Sequence, residues 1–154
     1  MSTPLTKMHH CNLVLVRRMD FRQTHDGAMR DFVAHLFPGQ YCDTIALAGV
    51  VQMLAEPENA PPIITSIGIG IESHKAKTVV LIDHTNCGYR LLRRKQKGCA
   101  PFDSIQEEQD AIISDLRRAR QVVLDQYPEV NVCLYLAVLS DIDDTIDFRL
   151  IPDN

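Results

Sequence analysis

The stretch Thr78-Val-Val-Leu-Ile-Asp83-His84-Thr85-Asn86-Cys87-Gly88 decides the fold. Its first half is a β-branched, apolar run with no polar alternation, the mark of a strand covered on both faces. The second half turns at once to residues able to hold protons or metals. A buried strand that ends in a chemically able loop belongs to a layered α/β sheet, and the rest of the chain reads the same way outward. Residues 11–17 (CNLVLVR) form a first strand, Tyr41 to Leu47 a second running into Ala48-Gly49-Val50-Val51, and Val130 to Leu139 a fourth. Ile146 to Ile151 adds an edge strand. Between them, Met29, Phe32, Val33 and Leu36 trace one helical face, stopped by Pro38-Gly39.

Pro61 and Pro62 open a helix over Ile63 to Ile71, with proline in its first turn. Gly68 and Gly70 each cost such a helix about 1 kcal/mol relative to alanine, which predicts close packing there. The alternation of Ile67, Ile69 and Ile71 also fits a strand. Ser104-Ile-Gln-Glu107 is a capping box, and Ile105, Ile112, Leu116, Val123 and Tyr127 follow on one helical face that ends before Pro128. Strands alternating with helices predict an open, mainly parallel sheet of four to five strands flanked by helices, with right-handed crossovers. With no repeat or boundary, residues 1–154 read as a single domain.

The composition narrows the function. A chain of 154 residues that is 45% hydrophobic can bury a sizeable core, and a net charge of −4 excludes a broadly basic face for nucleic acid. No apolar run reaches the roughly 18 to 20 residues that span a bilayer, and the first twenty residues hold no signal-peptide core. A cytoplasmic protein is expected. Cys11, Cys42, Cys87, Cys99 and Cys133 are odd in number and scattered, a pattern of thiols or metal ligands rather than of a disulfide framework.

In open α/β sheets, ligands bind outside the carboxyl ends of the strands. There the first strand offers Arg18, Asp20 and Arg22, and the third offers His84, Cys87 and Gly88. A two-residue gap lets the His84 imidazole and the Cys87 thiolate reach one ion, and zinc accepts both. Gly88 allows the backbone to bend closely behind them. Asp20 and Arg22, two apart on an extended segment, point the same way and can pair or face one site.

Taken together, Met-Asp-x-Arg after strand one, Ala-Gly after strand two and His-Thr-Asn-Cys-Gly after strand three resemble the β-class carbonic anhydrases. That family shows Cys-x-Asp-x-Arg, an Asn-Ala-Gly turn and His-x-x-Cys-Gly. The resemblance covers most of the chain, including the Tyr-Leu-Ala-Val-Leu-Ser ending of the fourth strand. It implies a zinc ion held by two cysteines and a histidine, whose bound hydroxide attacks CO₂. His84 and Cys87 match the second and third ligands, and Asp20 and Arg22 the dyad that orients the site. The resemblance also implies a homodimer or higher homo-oligomer.

The first ligand position departs from the pattern, because Arg18 stands where the family has cysteine. A guanidinium stays protonated and has no lone pair to donate. Asn86 replaces a common aspartate and Leu47 the asparagine of the Asn-Ala-Gly turn. Before strand one, the short stretch of sequence implies, as an expectation from the resemblance, that the helical arm many members use in dimerisation is absent or reduced. Three readings stay open. Zinc is held by Asp20, His84 and Cys87, with Cys42 or a water, and acts on CO₂ or an analogue such as carbonyl sulfide. Alternatively, no metal binds, and Arg18, Arg22 and the backbone donors near Gly88 take a small anion such as bicarbonate. The third reading is a non-catalytic interaction protein that keeps the fold.

Other candidates carry less. His9, His10 and Cys11 read as a tail followed by a core thiol, His25 and His35 as surface histidines, and His74 as a cation at a helix C-terminus. Arg90, Arg93, Arg94, Lys95 and Lys97 read as a solvated helical face without interleaved aromatics. Cys99 reads as a loop thiol. Asp141, Asp143 and Asp144 lack the glycine and closing glutamate of a calcium loop.

Overall fold

The computed structural model describes residues 10–23, 27–140, 142 and 145–152. Five strands form one sheet: β1 (Leu13–Arg18), β2 (Cys42–Leu47), β3 (Thr78–His84), β4 (Asn131–Ser140) and β5 (Thr145–Ile151). Their spatial order is β2-β1-β3-β4-β5, parallel except for the antiparallel edge strand β5. The predicted open α/β sheet is present, with its edge strand.

The pleat divides the core in two. Val14, Val16, Val79, Leu81, Leu134 and Leu136 face one way, and Leu13, Leu15, Val80, Ile82, Tyr135 and Ala137 the other. The first face is covered by α2 (Val50–Leu54), α3 (Ala60–Gly68) and α5 (Ile105–Gln126). Helix α5 buries Ile112, Leu116, Ala119 and Val123 at spacings of four, three and four, and a fully buried Ile or Leu contributes roughly 1.5–3 kcal/mol. The second face is covered by α1 (Ala28–Leu36), whose Met29 and Phe32 pack with Tyr135 and Phe148. Phe32 stacks on Phe148 at 4.2 Å and meets Tyr135 edge-on at 4.9 Å.

Between β1 and β3 the order of the strands reverses, because the chain runs outward to β2 and returns on the far side of β1. That reversal opens a crevice at the carboxyl ends of β1 and β3.

Local details follow the sequence with corrections. Pro61 and Pro62 do sit in the first turn of α3, and residues 69–73 continue as a π-helical turn, not a strand. A Cβ on Gly70 would clash with Val14 Cγ2, and one on Gly68 with the Tyr127 hydroxyl, so both glycines mark close approaches. Ser104 caps α5 by accepting from the Glu107 amide at 3.1 Å, while Glu107 accepts from the Asp103 amide at 2.6 Å. Ile105 is exposed, since it opens that helix at the rim of a cleft. The five-residue α2 is hidden in sequence by the apolar run through Val50 and Val51.

Candidate functional site

The parallel register pairs Arg17 with Ile82, so the next step sets Arg18 beside Asp83 on the face of Val16 and Leu81. Arg18 is 1% exposed and Asp83 fully buried. The Arg18 guanidinium grips Asp83 with two nitrogens, one at 2.9 Å to Oδ2, and donates its third to the Cys87 sulfur. Asp83 also accepts from the His84 amide at 2.7 Å and from Arg90 at 2.9 Å. Arg90 then reaches Asp115 of α5 at 2.5 Å. A chain of alternating charges thus links β1, β3, α5 and α4 (Gly88–Gln96).

Asp20 and Arg22 follow β1 and form a two-point ion pair, with distances of 3.0 and 2.8 Å. The Arg22 amide donates to the same carboxylate at 2.9 Å, and its guanidinium donates to the Asn86 carbonyl at 3.0 Å. This pair therefore clasps the loop after β3. Asp20 Oδ2 lies 3.4 Å from His84 Nε2. His84 Nδ1 donates to the Thr85 carbonyl at 2.7 Å, which fixes the ring and leaves Nε2 turned into the site.

The loop carrying Cys87 is held from several sides. Asn86 takes the left-handed conformation at φ 54°, and its amide donates to Glu108 at 3.1 Å. Thr85 is tied to β4 through the Ala137 carbonyl and the Leu139 amide, each at 3.0 Å. Gly49, at φ 71°, lies where a Cβ would collide with the Tyr89 ring, and that ring sits 6.0 Å from the Arg18 guanidinium. The Ala-Gly turn after β2 is thus part of the wall behind Arg18. Next to Thr85 and Asn86 lies a cleft of about 590 Å³ lined mainly by apolar groups, Leu91, Phe102, Val138 and Leu139 among them.

The electrostatics are set by these contacts. Hydrogen bonding from Arg22 holds the Asp20 carboxyl below its ordinary value, with burial opposing. Burial pushes the Cys87 thiol up, but the hydrogen bond to His84, the Arg18 charge and the Arg90 amide together bring it below its usual range. Burial pushes His84 down, and its contacts with Cys87, Thr85 and Asp83 raise it above its ordinary value. The arrangement favours charge separation between the thiol and the imidazole.

Asp20, Arg22, His84 and Cys87 are brought together as the sequence predicts, and Arg18 points inward among them. This donor set does not fit a zinc ion. The Cys87 sulfur, the softest donor, accepts from a guanidinium that cannot ligate, and Asp20 is committed to Arg22. Cys42 is no substitute, because it pairs with Leu13 at the amino end of the sheet, five residues from the carboxyl end at about 3.3 Å each. Gly88 has an ordinary backbone, and a Cβ there would meet nothing within 4 Å, so it is not needed for a tight bend.

Further findings concern charged and titratable groups. Arg90 is not on a solvated face; it is buried between Asp83 and Asp115. His74 does sit at the C-cap of the π-helical turn, its amide donating to the Ile69 carbonyl at 3.3 Å, but its side chain turns to Asp43 at 2.6 Å; Cys11 is a core thiol as expected and lies 3.4 Å from the same carboxylate. His35, Cys99 and His10 are exposed as expected, whereas His9, His25, Asp141, Asp143 and Asp144 fall outside the described residues. Asp83, Arg90 and Asp115 are the site residues that sequence reasoning missed. For Asp83 the signal was its place near the end of an apolar strand beside one ending in Arg18, whereas Arg90 and Asp115 lie on helices and left none.

Fold and site define an α/β protein of the β-carbonic-anhydrase type. The family profile described as "Putative carbonic anhydrase" matches residues 8–139, and the chain belongs to that family. Solved structures share the fold at low identity. The β-carbonic anhydrase isoform I of Trichomonas vaginalis superposes with a TM-score of 0.56 at 16% identity, covering 97% of this chain and 88% of that one. The carbonic anhydrase of Streptococcus mutans gives 0.55 at 16%, covering 99% and 88%. A crystal structure describing two tetrameric β-carbonic anhydrases of Sordaria macrospora gives 0.54 at 10%, covering 91% and 81%. A search of curated proteins returns no match.

Proposed function

We propose that this chain is a metal-independent carbonic-anhydrase-like protein whose crevice binds a small oxyanion of the bicarbonate type, without zinc-hydroxide hydration of CO₂. The observation that carries this reading is Arg18, buried against Cys87 and Asp83. A fixed internal cation satisfies the thiolate that a metal would otherwise hold. The anion's seat is the space between Arg22 and the first turn of α4. Arg22 reaches the Asn86 carbonyl, two residues from Gly88, and the absent side chain of Gly88 leaves that helix start open. A planar guanidinium and helix N-terminal amides both suit a small oxyanion. As an assembly we expect a homodimer or higher homo-oligomer, in line with the tetramers from Sordaria macrospora, and a cytoplasmic location.

Two measurements test this. The ¹³C resonance of bicarbonate broadens on adding the protein, and the broadening is lost in Arg22→Gln; no broadening with the wild type sinks the anion reading. For the metal, Arg18→Cys gains one zinc per chain that is lost again in Arg18→Cys/Cys87→Ser, whereas Cys87→Ser alone leaves the zinc content of the wild type unchanged. A zinc centre held by Asp20, His84 and Cys87 predicts the opposite, namely wild-type zinc that disappears in Cys87→Ser together with a CO₂-hydration rate above background.

A further inference from the structure

At the other end of the sheet, Cys11, Asp43 and His74 converge. Their sulfur, carboxylate oxygen and ring nitrogen all lie within 4.8 Å of one another, the one such group of three found among the described residues. We infer that this trio is a binding site for a zinc-class transition metal, unrelated to the crevice at Cys87.

The three side chains come from separate segments that the fold fixes independently. Cys11 lies two residues before β1, and its amide donates to the His74 carbonyl at 2.9 Å, which locks the two residues together. Asp43 is the second residue of β2, held opposite Val14 by the sheet register. His74 closes the π-helical turn, and the left-handed Lys75 (φ 65°) redirects the chain into β3. Gly70 of that turn leaves room for the approach, since a Cβ there would lie 3.2 Å from Asp43 Oδ2.

The distances suit a metal with little movement. In a tetrahedral zinc centre with bonds of about 2.0–2.3 Å, neighbouring ligand atoms stand roughly 3.3–3.7 Å apart. Cys11 Sγ to Asp43 Oδ2 is already 3.4 Å. His74 Nδ1 to the same oxygen is 2.6 Å and has to open, which a side chain 42% exposed can do. The exposed sides of His74 and Asp43 leave an entry path and a place for water as the fourth ligand. One thiolate, one imidazole and one carboxylate select zinc, cobalt or nickel over the hard, oxygen-seeking magnesium and calcium. Binding releases the Cys11 thiol proton to solvent, and two negative ligands neutralise the divalent ion.

The test is a cobalt(II) titration of the full-length, metal-stripped protein, with zinc competition. One cobalt binds per chain with a thiolate-to-metal absorption in the near ultraviolet, and zinc abolishes the band. His74→Gln alters only a half-exposed side chain and weakens binding at least about tenfold, since it removes one of three ligands. Cys11→Ser loses the band, and Cys87→Ser keeps it. Circular dichroism establishes that each variant is folded, and if Cys11→Ser is not, His74→Gln and Asp43→Asn decide. Absence of the band overturns the inference, as does a band that survives His74→Gln and Asp43→Asn. A band lost in Cys87→Ser instead places the metal in the crevice and overturns both this inference and the metal-independent reading above.

Discussion

Arg18 and Asp20 lie two residues apart and do different work. Arg18 is spent inside on Asp83 and Cys87, while Asp20 meets Arg22 near the surface. The second pair has a pH signature. Arg22 depresses the Asp20 pKa in the folded chain, so the contribution is fully present above the ordinary carboxylate range and is lost as pH falls through the lower folded value. Urea midpoints measured across that acid range should fall less steeply for Asp20→Asn than for the wild type. Parallel slopes would mean that the pair adds nothing to stability. His84 belongs to this scale too, because its Nδ1 contact with the Thr85 carbonyl fixes which nitrogen faces Asp20.

At the level of elements, two glycines in motif positions differ in what they do. Gly70 lets the turn after α3 press onto Val14, and Gly70→Ala should cost about 1–3 kcal/mol by overpacking a contact with no space to relax. Gly88→Ala, at the start of α4 with nothing within 4 Å, should leave the melting temperature unchanged or raised. If calorimetry finds equal losses for the two, the packing argument fails. The start of α5 offers a third case. Ser104→Ala removes the acceptor for the Glu107 amide and should cost about 1 kcal/mol in chemical denaturation.

Across the molecule, Asp83 is the joint. It takes charge from both Arg18 and Arg90, and through them connects the first and third strands to α4 and, by way of Asp115, to α5. Asp83→Asn keeps the shape and removes the charge, leaving two guanidinium groups in the interior with one carboxylate between them. Breaking a buried pair from one side costs about 3–5 kcal/mol, so the denaturation midpoint should drop far more than for Asp20→Asn. A drop no larger than that of the surface pair would show that water reaches the network.

Strand identity, the helix faces and the sheet class were legible because each depends on local periodicity: the four apolar residues Val79 to Ile82 leading into Asp83, the spacing of Ile112 and Leu116, the prolines opening α3. The grouping of Asp20, Arg22, His84 and Cys87 was legible for a related reason, since the ends of parallel strands converge wherever the chain order reverses. The direction of Arg18 was not, because an arginine ending a strand can reach solvent or the interior, and the choice rests on Asp83 lying at the same register on a different strand. Arg90 was misplaced for the same reason, as its partners on β3 and α5 lie 7 and 25 residues away. Cys11, Asp43 and His74 share no local pattern at all. Only the pairing of β1 with β2 and the π-helical turn bring them within reach, because tertiary contacts alone decide which distant side chains share one volume.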